Sequence, residues 1–424
     1  MNLTQVNEYF LSCPAGVPYG RTEARPAFVV AETEQSDIRY IGVAGTAGKT
    51  AVVQMVAGIL REAGFVCGSY TVGRLPLQQR IQINGKPVSA KLMGSVAGKL
   101  GKLEEKPARP VAELAAACAC FAQENCQFAV VELTDPMLAE FLKEMPVCAV
   151  TQIGDDGSGF TVERLAHSAA AMMRKDCTLV TTPAQEKKAI SELVVCAAKA
   201  ECELKVPEMI DLELGGGKRL LRTINYGGYD FLLPHIGSAA AENAAVAVEV
   251  ALALWRKGYD IPDDPILEGV PHVNGDCGVH FLRQRPKILA APCHKPMQAV
   301  MLAKLLAAAK VDHVSVVAGL SDCMDPEVFF TALETAFIPE EEQDEKTKMA
   351  GMSDNPIDKM YLVTPEDEDA VSAEEAEEAA KFHFDTEICE TLAEAMDKAR
   401  ADNAEVVVVM GGESICRAAE KLLK

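Results

Sequence analysis

Short runs of consecutive apolar residues alternate along the chain with longer segments whose apolar residues recur every three or four positions. The runs IRYIGVAG (38–45), CQFAVVEL (126–133) and VCAVTQIG (147–154) predict buried strands. The segments TAVVQMVAGILREAG (50–64) and VAELAAACACFAQE (111–124) predict helices. Buried strands separated by helices of this length indicate a mostly parallel sheet that carries helices on both faces.

The pattern changes after residue 217 and then resumes. KRLLRTINYGGYDFLLP (218–234) predicts a β-hairpin that turns at Gly227-Gly228, and AAAENAAVAVEVALALWRKG (239–258) predicts one long helix. Pro, Gly and Asp are frequent over 262–286, and the alternation of strands and helices restarts at KILAAP (287–292). We therefore predict two domains, residues 1–275 and residues 276–424.

The second domain repeats the alternation on a smaller scale. HVSVVAGL (313–320), KMYLVTP (359–365) and EVVVVMGG (405–412) predict its further strands. The acidic segment near 338–358 has no apolar periodicity and predicts a solvated loop. The fold class that we expect is α/β, with an N-terminal domain of the P-loop type built on a mostly parallel sheet and a smaller, Rossmann-like C-terminal domain.

Composition and charge exclude some classes of partner. The chain has 424 residues, 49% of them hydrophobic, and a formal net charge of -21. Such an acidic chain lacks the cationic surface that nucleic-acid binding requires. The 14 cysteines include no CxxC pair and predict reduced core residues of a cytoplasmic protein. We expect no signal peptide and no membrane partner, because AAVAVEVALALW (244–255) is short, contains Glu249 and follows Glu242.

The sequence Gly45-Thr46-Ala47-Gly48-Lys49-Thr50 lies where a predicted strand ends and a predicted helix begins. The first amides of a helix have no partners there and point at one spot, and glycines let the backbone approach an anion closely. A lysine and a hydroxyl at these positions suit the β- and γ-phosphates and Mg²⁺. The strict Walker spacing would place Gly at Val43, so a glycine turn with a surface lysine is the alternative.

A series of further motifs, in order along the chain, resembles the Mur ligase superfamily and within it the folylpolyglutamate synthase/dihydrofolate synthase branch. Each motif is weak alone, but together they span nearly the whole chain. They are GTAGK (45–49), SYTVGRLPLQQRIQINGKPVSA (69–90), VTQIGDD (150–156), AENAAVAVEVAL (241–252), ILAAPCHKP (288–296), SVVAGLSDCMDP (315–326) and EVVVVMGGESICRAAEKLL (405–423).

The resemblance implies an ATP-dependent amide ligase. In that family ATP phosphorylates a carboxylate, and the amine of glutamate attacks the acyl phosphate while two domains close over the nucleotide. The implied cofactors are ATP and Mg²⁺, and the implied partners are a folate-like carboxylate and glutamate, with the protein a monomer. The charge that develops on the transferred phosphoryl group calls for a lysine and a metal ion.

Several positions depart from the family pattern. The family's metal-binding serine, glutamate and histidine correspond to Val72, Glu132 and Gly157, and neither valine nor glycine offers a side-chain ligand. Its carboxylated lysine corresponds to Ala169, and the aspartate of its D-G-A-H-N-P motif corresponds to Ala291. The alternative function is therefore a non-catalytic nucleotide-binding relative, and a further possibility is that Asp155 or Asp156 rebuilds the metal site.

The candidate site residues follow from the loop and from the resemblance. Bland alternatives exist for several of them: a solvated carboxylate at Glu132, a helix-start amide at Asn243, a structural hydrogen bond at His294 and a turn at Asp322. Arg74 and Arg80 could bind an anionic substrate. The predicted catalytic residues are Lys49 and His294, the predicted nucleotide-binding residues are Gly45, Thr46, Gly48, Lys49, Thr50, Asn243 and Asp322, and the predicted metal ligands are Glu132, Thr50 and Asp156.

Overall fold

Three β-sheets organise the part of the chain that the computed structural model describes. The described residues are 1–15, 19–31, 36–214, 223–274, 277–338 and 355–424. The predicted domain boundary, between residues 275 and 276, and residues 339–354 of the acidic segment lie outside them.

The first sheet is the largest and is mostly parallel. Its strands are β1 (Arg39–Ala44), β2 (Cys67–Tyr70), β3 (Ile81–Ile83), β4 (Lys86–Pro87), β5 (Phe128–Glu132), β6 (Glu144–Val150), β7 (Thr178–Thr181) and β8 (Glu203–Lys205). Their spatial order is β4-β3-β2-β5-β1-β6-β7-β8. Strands β2, β5, β1, β6, β7 and β8 run parallel, while β3 and β4 form an antiparallel extension at one edge. Strand β1 therefore lies centrally and places the glycine-rich loop, residues 45–50, at the middle of the sheet edge.

Ten helices accompany this sheet within the described residues. They are α1 (Leu3–Leu11), α2 (Arg21–Val30), α3 (Lys49–Glu62), α4 (Leu77–Arg80), α5 (Ala90–Leu100), α6 (Arg109–Gln123), α7 (Val162–Ala169), α8 (Lys187–Ala200), α9 (Ser238–Arg256) and α10 (Asp263–Gly269). One core joins one face of the sheet to α1, α2 and α5–α8, and a second core joins the other face to α3, α9 and α10. Burial on both faces explains why the strands are continuous apolar runs.

The predicted hairpin is present as part of a small antiparallel sheet. Its strands are β9 (Leu212–Leu214), β10 (Thr223–Tyr226) and β11 (Tyr229–Leu232), and β10 and β11 pair across Gly227-Gly228. Both glycines have positive φ, +57° and +91°, as a two-residue hairpin turn requires. The sheet packs on α9, and Tyr226 donates a hydrogen bond to Glu249 Oε1 (2.8 Å).

The third sheet contains the four strands predicted for the C-terminal unit and two that were not predicted, His280–Gln284 and Thr386–Ile388. Its strands are β12 (His280–Gln284), β13 (Lys287–Pro292), β14 (Val314–Gly319), β15 (Ile357–Leu362), β16 (Thr386–Ile388) and β17 (Val406–Gly411), in the order β12-β13-β17-β14-β15-β16. All pairs except β12-β13 are parallel. Its helices are α11 (Pro296–Ala308), α12 (Pro326–Thr335), α13 (Ala373–Ala380), α14 (Leu392–Ala401) and α15 (Glu413–Leu422). The predicted α/β fold class is therefore confirmed.

The apolar helix α9 passes a length-and-composition test for crossing a membrane, but 72% of its most apolar window is buried inside the protein. The buried Glu249 of this helix has polar partners within the protein. Lys205 Nζ and Arg256 Nη1 lie 3.6 and 3.7 Å from the two oxygens of Glu249. Helix α9 thus has the burial of a core helix. All 14 cysteines are free thiols; eleven are buried, as expected of core residues, whereas Cys196, Cys277 and Cys323 are half-buried.

The first and third sheets meet on two sides of a cleft. On one side, Met297 N at the start of α11 donates a hydrogen bond to the carbonyl of Asp155 (3.1 Å). On the other side, Arg74 Nη2 lies 2.6 and 2.7 Å from the two oxygens of Asp369, and Arg74 Nη1 lies 3.5 Å from Asp367. The glycine-rich loop opens into the space between these contacts.

Candidate functional site

The glycine-rich loop occupies the carboxyl edge of the central strands. It links β1 to α3, and the ends of β5 and β6 lie beside it because both strands pair with β1 in parallel. Ligands of open α/β sheets bind at this edge. The topology thus brings Glu132, the last residue of β5, next to the loop, although the two are about eighty residues apart in sequence.

The first half of the loop is held by the residues that follow β6. The amides of Thr46 and Ala47 both donate to the carbonyl of Gln152, at 2.9 and 3.2 Å. The Thr46 hydroxyl donates to the Gly154 carbonyl (3.0 Å) and accepts from the Gly154 amide (3.2 Å). Thr46, a predicted nucleotide ligand, therefore uses its hydroxyl and amide to fix the loop.

Two glycines of the loop are required by their surroundings. Gly45 has φ +136°, and a Cβ there would lie 2.3 Å from Thr151 Oγ1. Gly48 has φ +89°, and a Cβ there would lie 2.4 Å from Asn243 Oδ1. A side chain at either position would be strained and would collide. The contact at Gly48 also shows that Asn243, on α9, lies directly against the loop.

The second half of the loop presents free amides. The first hydrogen bond of α3 runs from Val52 N to the Gly48 carbonyl (3.1 Å), so the amides of Lys49, Thr50 and Ala51 precede it and have no partner within the helix. The aligned peptide dipoles add partial positive charge at this end. This half of the loop has the geometry of an anion-binding helix start.

Lys49, Thr50 and Glu132 form one cluster at the base of the cleft. The Thr50 hydroxyl donates to Glu132 Oε2 (2.8 Å), and Lys49 Nζ lies 3.8 Å from Glu132 Oε1 and 3.4 Å from the Thr46 carbonyl. The side chains of Lys49 and Glu132 are only 11% and 5% exposed. Burial lowers the pKa of Lys49, and the Glu132 carboxylate opposes that shift. The buried pair keeps a cation beside the free amides.

The side chains predicted as metal ligands, Glu132, Thr50 and Asp156, are all engaged in hydrogen bonds within the protein. The Val72 amide also donates to Glu132 Oε2 (3.2 Å), so both oxygens of that carboxylate face donors. Asp156 Oδ1 accepts from the amide and the hydroxyl of Ser158. Mg²⁺ requires near-octahedral oxygen ligands, and Val72 and Gly157 contribute no side-chain oxygen.

Outside the cleft, one group of three side chains could hold a metal ion. His167 Nδ1 lies 2.8 Å from Glu192 Oε1, and Cys196 Sγ lies 3.7 and 3.4 Å from the same two atoms. In the portion of the chain that the structure describes, no group of three or more His, Cys, Asp or Glu residues with this spacing lies in the cleft.

A cavity of about 250 Å³ adjoins the loop between α9 and α11. It is bordered by Asn243 and Gly48 and has both apolar and polar walls. Burial raises the pKa of Glu242 at its wall, and the Lys304 ammonium opposes that shift. Its further lining residues include Ala47, His235, Ala240, Met297, Met301 and Leu305.

His294 and Asp322 follow two strands of the third sheet, β13 and β14, and their side chains approach each other. His294 Nε2 lies 3.6 Å from Asp322 Oδ2, and the Asp322 side chain is 65% exposed. Burial lowers the pKa of His294 to about 4; Asp322 opposes the shift, and the positive charges of Lys295, Lys49 and Arg74 add to it. The imidazole is therefore neutral at pH 7.

The low pKa of His294 predicts a loss of stability in mild acid. The unfolded chain takes up this proton near pH 6.5 but the folded chain only near pH 4, so the unfolded state binds more protons in between. Stability should therefore fall as the pH drops through this window, by at most about 3 kcal/mol from this group. Urea unfolding of wild type and His294→Asn from pH 7 to pH 4 isolates the contribution of His294. If the free energy of unfolding fell equally with pH in the two proteins, the lowered pKa of His294 would be contradicted.

The two arginines predicted as binders of an anionic substrate have other partners. Arg80 is buried, and its guanidinium donates to both oxygens of Glu113 at 2.8 Å. Arg74 pairs with Asp369 and Asp367 of the opposite half. Their roles as anion ligands are not supported, because carboxylates of the protein already occupy both guanidinium groups. Lys295, next to His294 in the CHKP motif, is a cleft cation that the sequence analysis did not single out.

Comparison with known proteins identifies solved structures that have the same fold. No family model matches the chain, and no curated protein matches it. Mycobacterium tuberculosis folylpolyglutamate synthase complexed with ADP is similar, with a TM-score of 0.79, 21% identity and coverage of 99% of this chain and 98% of that one. E. coli FolC in complex with DHPP and ADP gives a TM-score of 0.77 at 17% identity, covering 100% and 98%.

A third similar structure contains a metal ion. The bifunctional folylpolyglutamate synthase/dihydrofolate synthase of Yersinia pestis, complexed with AMPPNP and Mn, gives a TM-score of 0.77 at 18% identity over 100% of this chain and 98% of that one. The predicted resemblance is thus confirmed at the level of the fold over the whole chain. At these identities the likeness establishes the fold alone.

Proposed function

We propose that the chain binds an adenine nucleotide in the cleft beside the glycine-rich loop, as a relative of the folylpolyglutamate synthases that no longer ligates efficiently. One observation carries the proposal: the glycine-rich loop combines a lysine side chain that is only 11% exposed, Lys49, with three amides at the start of α3 that have no partner within the helix. A buried cation next to unpaired amides suits a phosphate chain.

The cavity next to the loop suits the rest of the nucleotide. It begins at Gly48 and Asn243 and extends along α9 and α11. The phosphates would meet the amides at the start of α3, while the adenine would enter the cavity, where the Asn243 amide can bond a base edge. The related structures solved with ADP and AMPPNP support this placement.

The residues around the phosphate end argue against efficient ligation. The positions of two family metal ligands are Val72 and Gly157, and Glu132 is engaged by Lys49, Thr50 and the Val72 amide. Ala169, at the position of the carboxylated lysine, is buried at the end of α7, and Ala291 is buried in β13. Phosphoryl transfer depends on positioned charge, which these residues do not supply.

The second candidate is an active ligase that adds glutamate to a folate or a similar carboxylate with ATP and Mg²⁺. The observation that favours it is the retention of the fold over the entire chain, with both halves of the cleft in place. In that case Asp155 or Asp156 would have to take part in holding the metal. On either proposal the chain would work as a cytoplasmic monomer.

Replacing Lys49 tests nucleotide binding. Lys49→Ala should lower the affinity for ADP by about ten- to a hundredfold, because a charged hydrogen bond contributes about 1.5–3 kcal/mol. Calorimetric titration of ADP into the folded full chain measures the change, and Lys91→Ala, at an exposed position on α5, is the control. Equal affinities for Lys49→Ala and wild type would remove the assigned role of the loop.

A further inference from the structure

We propose that nucleotide binding in this cleft is independent of magnesium, because Lys49 and Lys295 supply the positive charge that a metal ion supplies elsewhere. The inference rests on the proposed nucleotide site and specifies what neutralises the phosphates there. It follows from what surrounds Glu132, from what faces Gly157 and from the charge balance of the cleft.

The Glu132 carboxylate is surrounded by donors of the protein. Its Oε2 accepts from the Thr50 hydroxyl at 2.8 Å and from the Val72 amide at 3.2 Å, and its Oε1 lies 3.8 Å from Lys49 Nζ. The carboxylate is 95% buried, so solvent does not compete for these contacts. A dication bound to Glu132 would share the carboxylate with these donors and sit beside the Lys49 ammonium, and the two like charges would repel each other.

The position of Gly157 is bordered by residues of the C-terminal half. Gly157 lies in the left-handed region, with φ +82°, and a Cβ there would face the C-terminal half, 3.8 Å from Pro296 Cδ and 3.6 Å from Met324 Cβ. Pro296 begins α11, and Lys295 directly precedes it. The groups that face the third family ligand position are therefore Met324 and Pro296, neither of which ligates magnesium, and Lys295 adjoins Pro296 in the chain.

The charge of Lys295 is the third step. Its amide donates to Gln298 Oε1 (3.1 Å), whereas its ammonium has no carboxylate within 4 Å among the described residues. The charge lies close enough to the cleft to contribute to lowering the pKa of both Lys49 and His294. The backbone beside Lys295 contacts the first half of the cleft through the bond from Met297 N to the Asp155 carbonyl. An anion bound at the glycine-rich loop would therefore lie between Lys49 and the segment that carries Lys295.

Titration of ADP into the full-length protein, once with excess EDTA and once with excess MgCl₂, tests the inference. We expect dissociation constants that agree within about threefold, a difference of under half the free energy of a charged hydrogen bond. Binding that becomes more than about tenfold tighter with MgCl₂ would overturn the inference while leaving the nucleotide site in place. Absence of binding in both buffers would overturn the nucleotide site itself, and the inference with it.

Two variants test how the individual charges affect ADP affinity. Glu132→Gln keeps an acceptor for Thr50 and for the Val72 amide but removes the negative charge beside Lys49, so its effect on ADP affinity should be the same with EDTA and with MgCl₂. If Glu132 instead holds a metal, the same variant should weaken binding in MgCl₂ only, which would contradict the inference. Lys295→Met should weaken binding in both buffers by about tenfold, whereas Lys91→Met should not.

Discussion

Purified protein incubated with ATP, magnesium, a folate and glutamate is expected to release ADP at a rate close to the background without protein. Removing a single preorganised electrostatic contact costs about 10²–10³ in rate. Here two metal-ligand positions are Val72 and Gly157, and the lysine and aspartate positions are Ala169 and Ala291. Such losses within one cluster do not multiply, but together they remove the charge that phosphoryl transfer requires.

A coupled ADP assay measures this result, with reactions that omit glutamate or the folate as controls. ADP release that depends on both substrates would contradict the proposal and favour the ligase. The variant Asp156→Asn would then show whether Asp156 holds the metal ion. If the variant abolished turnover, Asp156 would bind the metal in the active state instead of accepting hydrogen bonds from Ser158.

Replacing Glu113 with alanine is expected to destabilise the N-terminal half by about 3–5 kcal/mol, since it leaves the buried Arg80 charge without its partner. Arg80 Nη1 and Nη2 donate to the two oxygens of Glu113 at 2.8 Å, and the side chains are 8% and 10% exposed. Tyr70 donates a third hydrogen bond to the same carboxylate (2.9 Å). The helix α6 is thereby joined to the segment that follows β2.

Urea unfolding of the full chain measures the change, and the exposed pair of Arg74 and Asp369 provides a matched control. Asp369→Ala should cost less than about 1 kcal/mol, because solvent screens that pair. The double variant Arg80→Met with Glu113→Leu should recover much of the stability, since apolar residues of similar volume can replace a buried ion pair. A cost for Glu113→Ala as small as that of the control would mean that water reaches Arg80.

Local pattern was sufficient to predict the elements that position the site. The run 38–45 is apolar except at Arg39 because β1 is buried on both faces, and the apolar positions over 50–64 follow from the packing of α3 on the sheet, on α9 and on α10. The turn at Gly227-Gly228 was predictable because two positive φ angles favour glycine. Helix α1 went unpredicted, although Asn2 and Gln5 form a capping box ahead of Val6.

The pairing of distant side chains was not predictable in the same way. Glu132 was expected to bind a metal or to face solvent, and only the parallel pairing of β1 and β5 places it against Lys49 and Thr50. Arg74 was expected to bind a ligand, but its partner Asp369 lies in the opposite half. A single sequence contains no record of such contacts, because they depend on how separate elements meet.

The two hydrogen bonds from Thr46 and Ala47 to the Gln152 carbonyl bear on the entropy of binding. They fix the first half of the glycine-rich loop through bonds to the protein's own backbone. A ligand that meets an already ordered loop does not bear the free-energy cost of immobilising it, about 1–2 kcal/mol for each residue's backbone. On the proposed function, binding of a nucleotide would therefore not require the groups that drive ligation, because the order of the loop depends on the residues that follow β6.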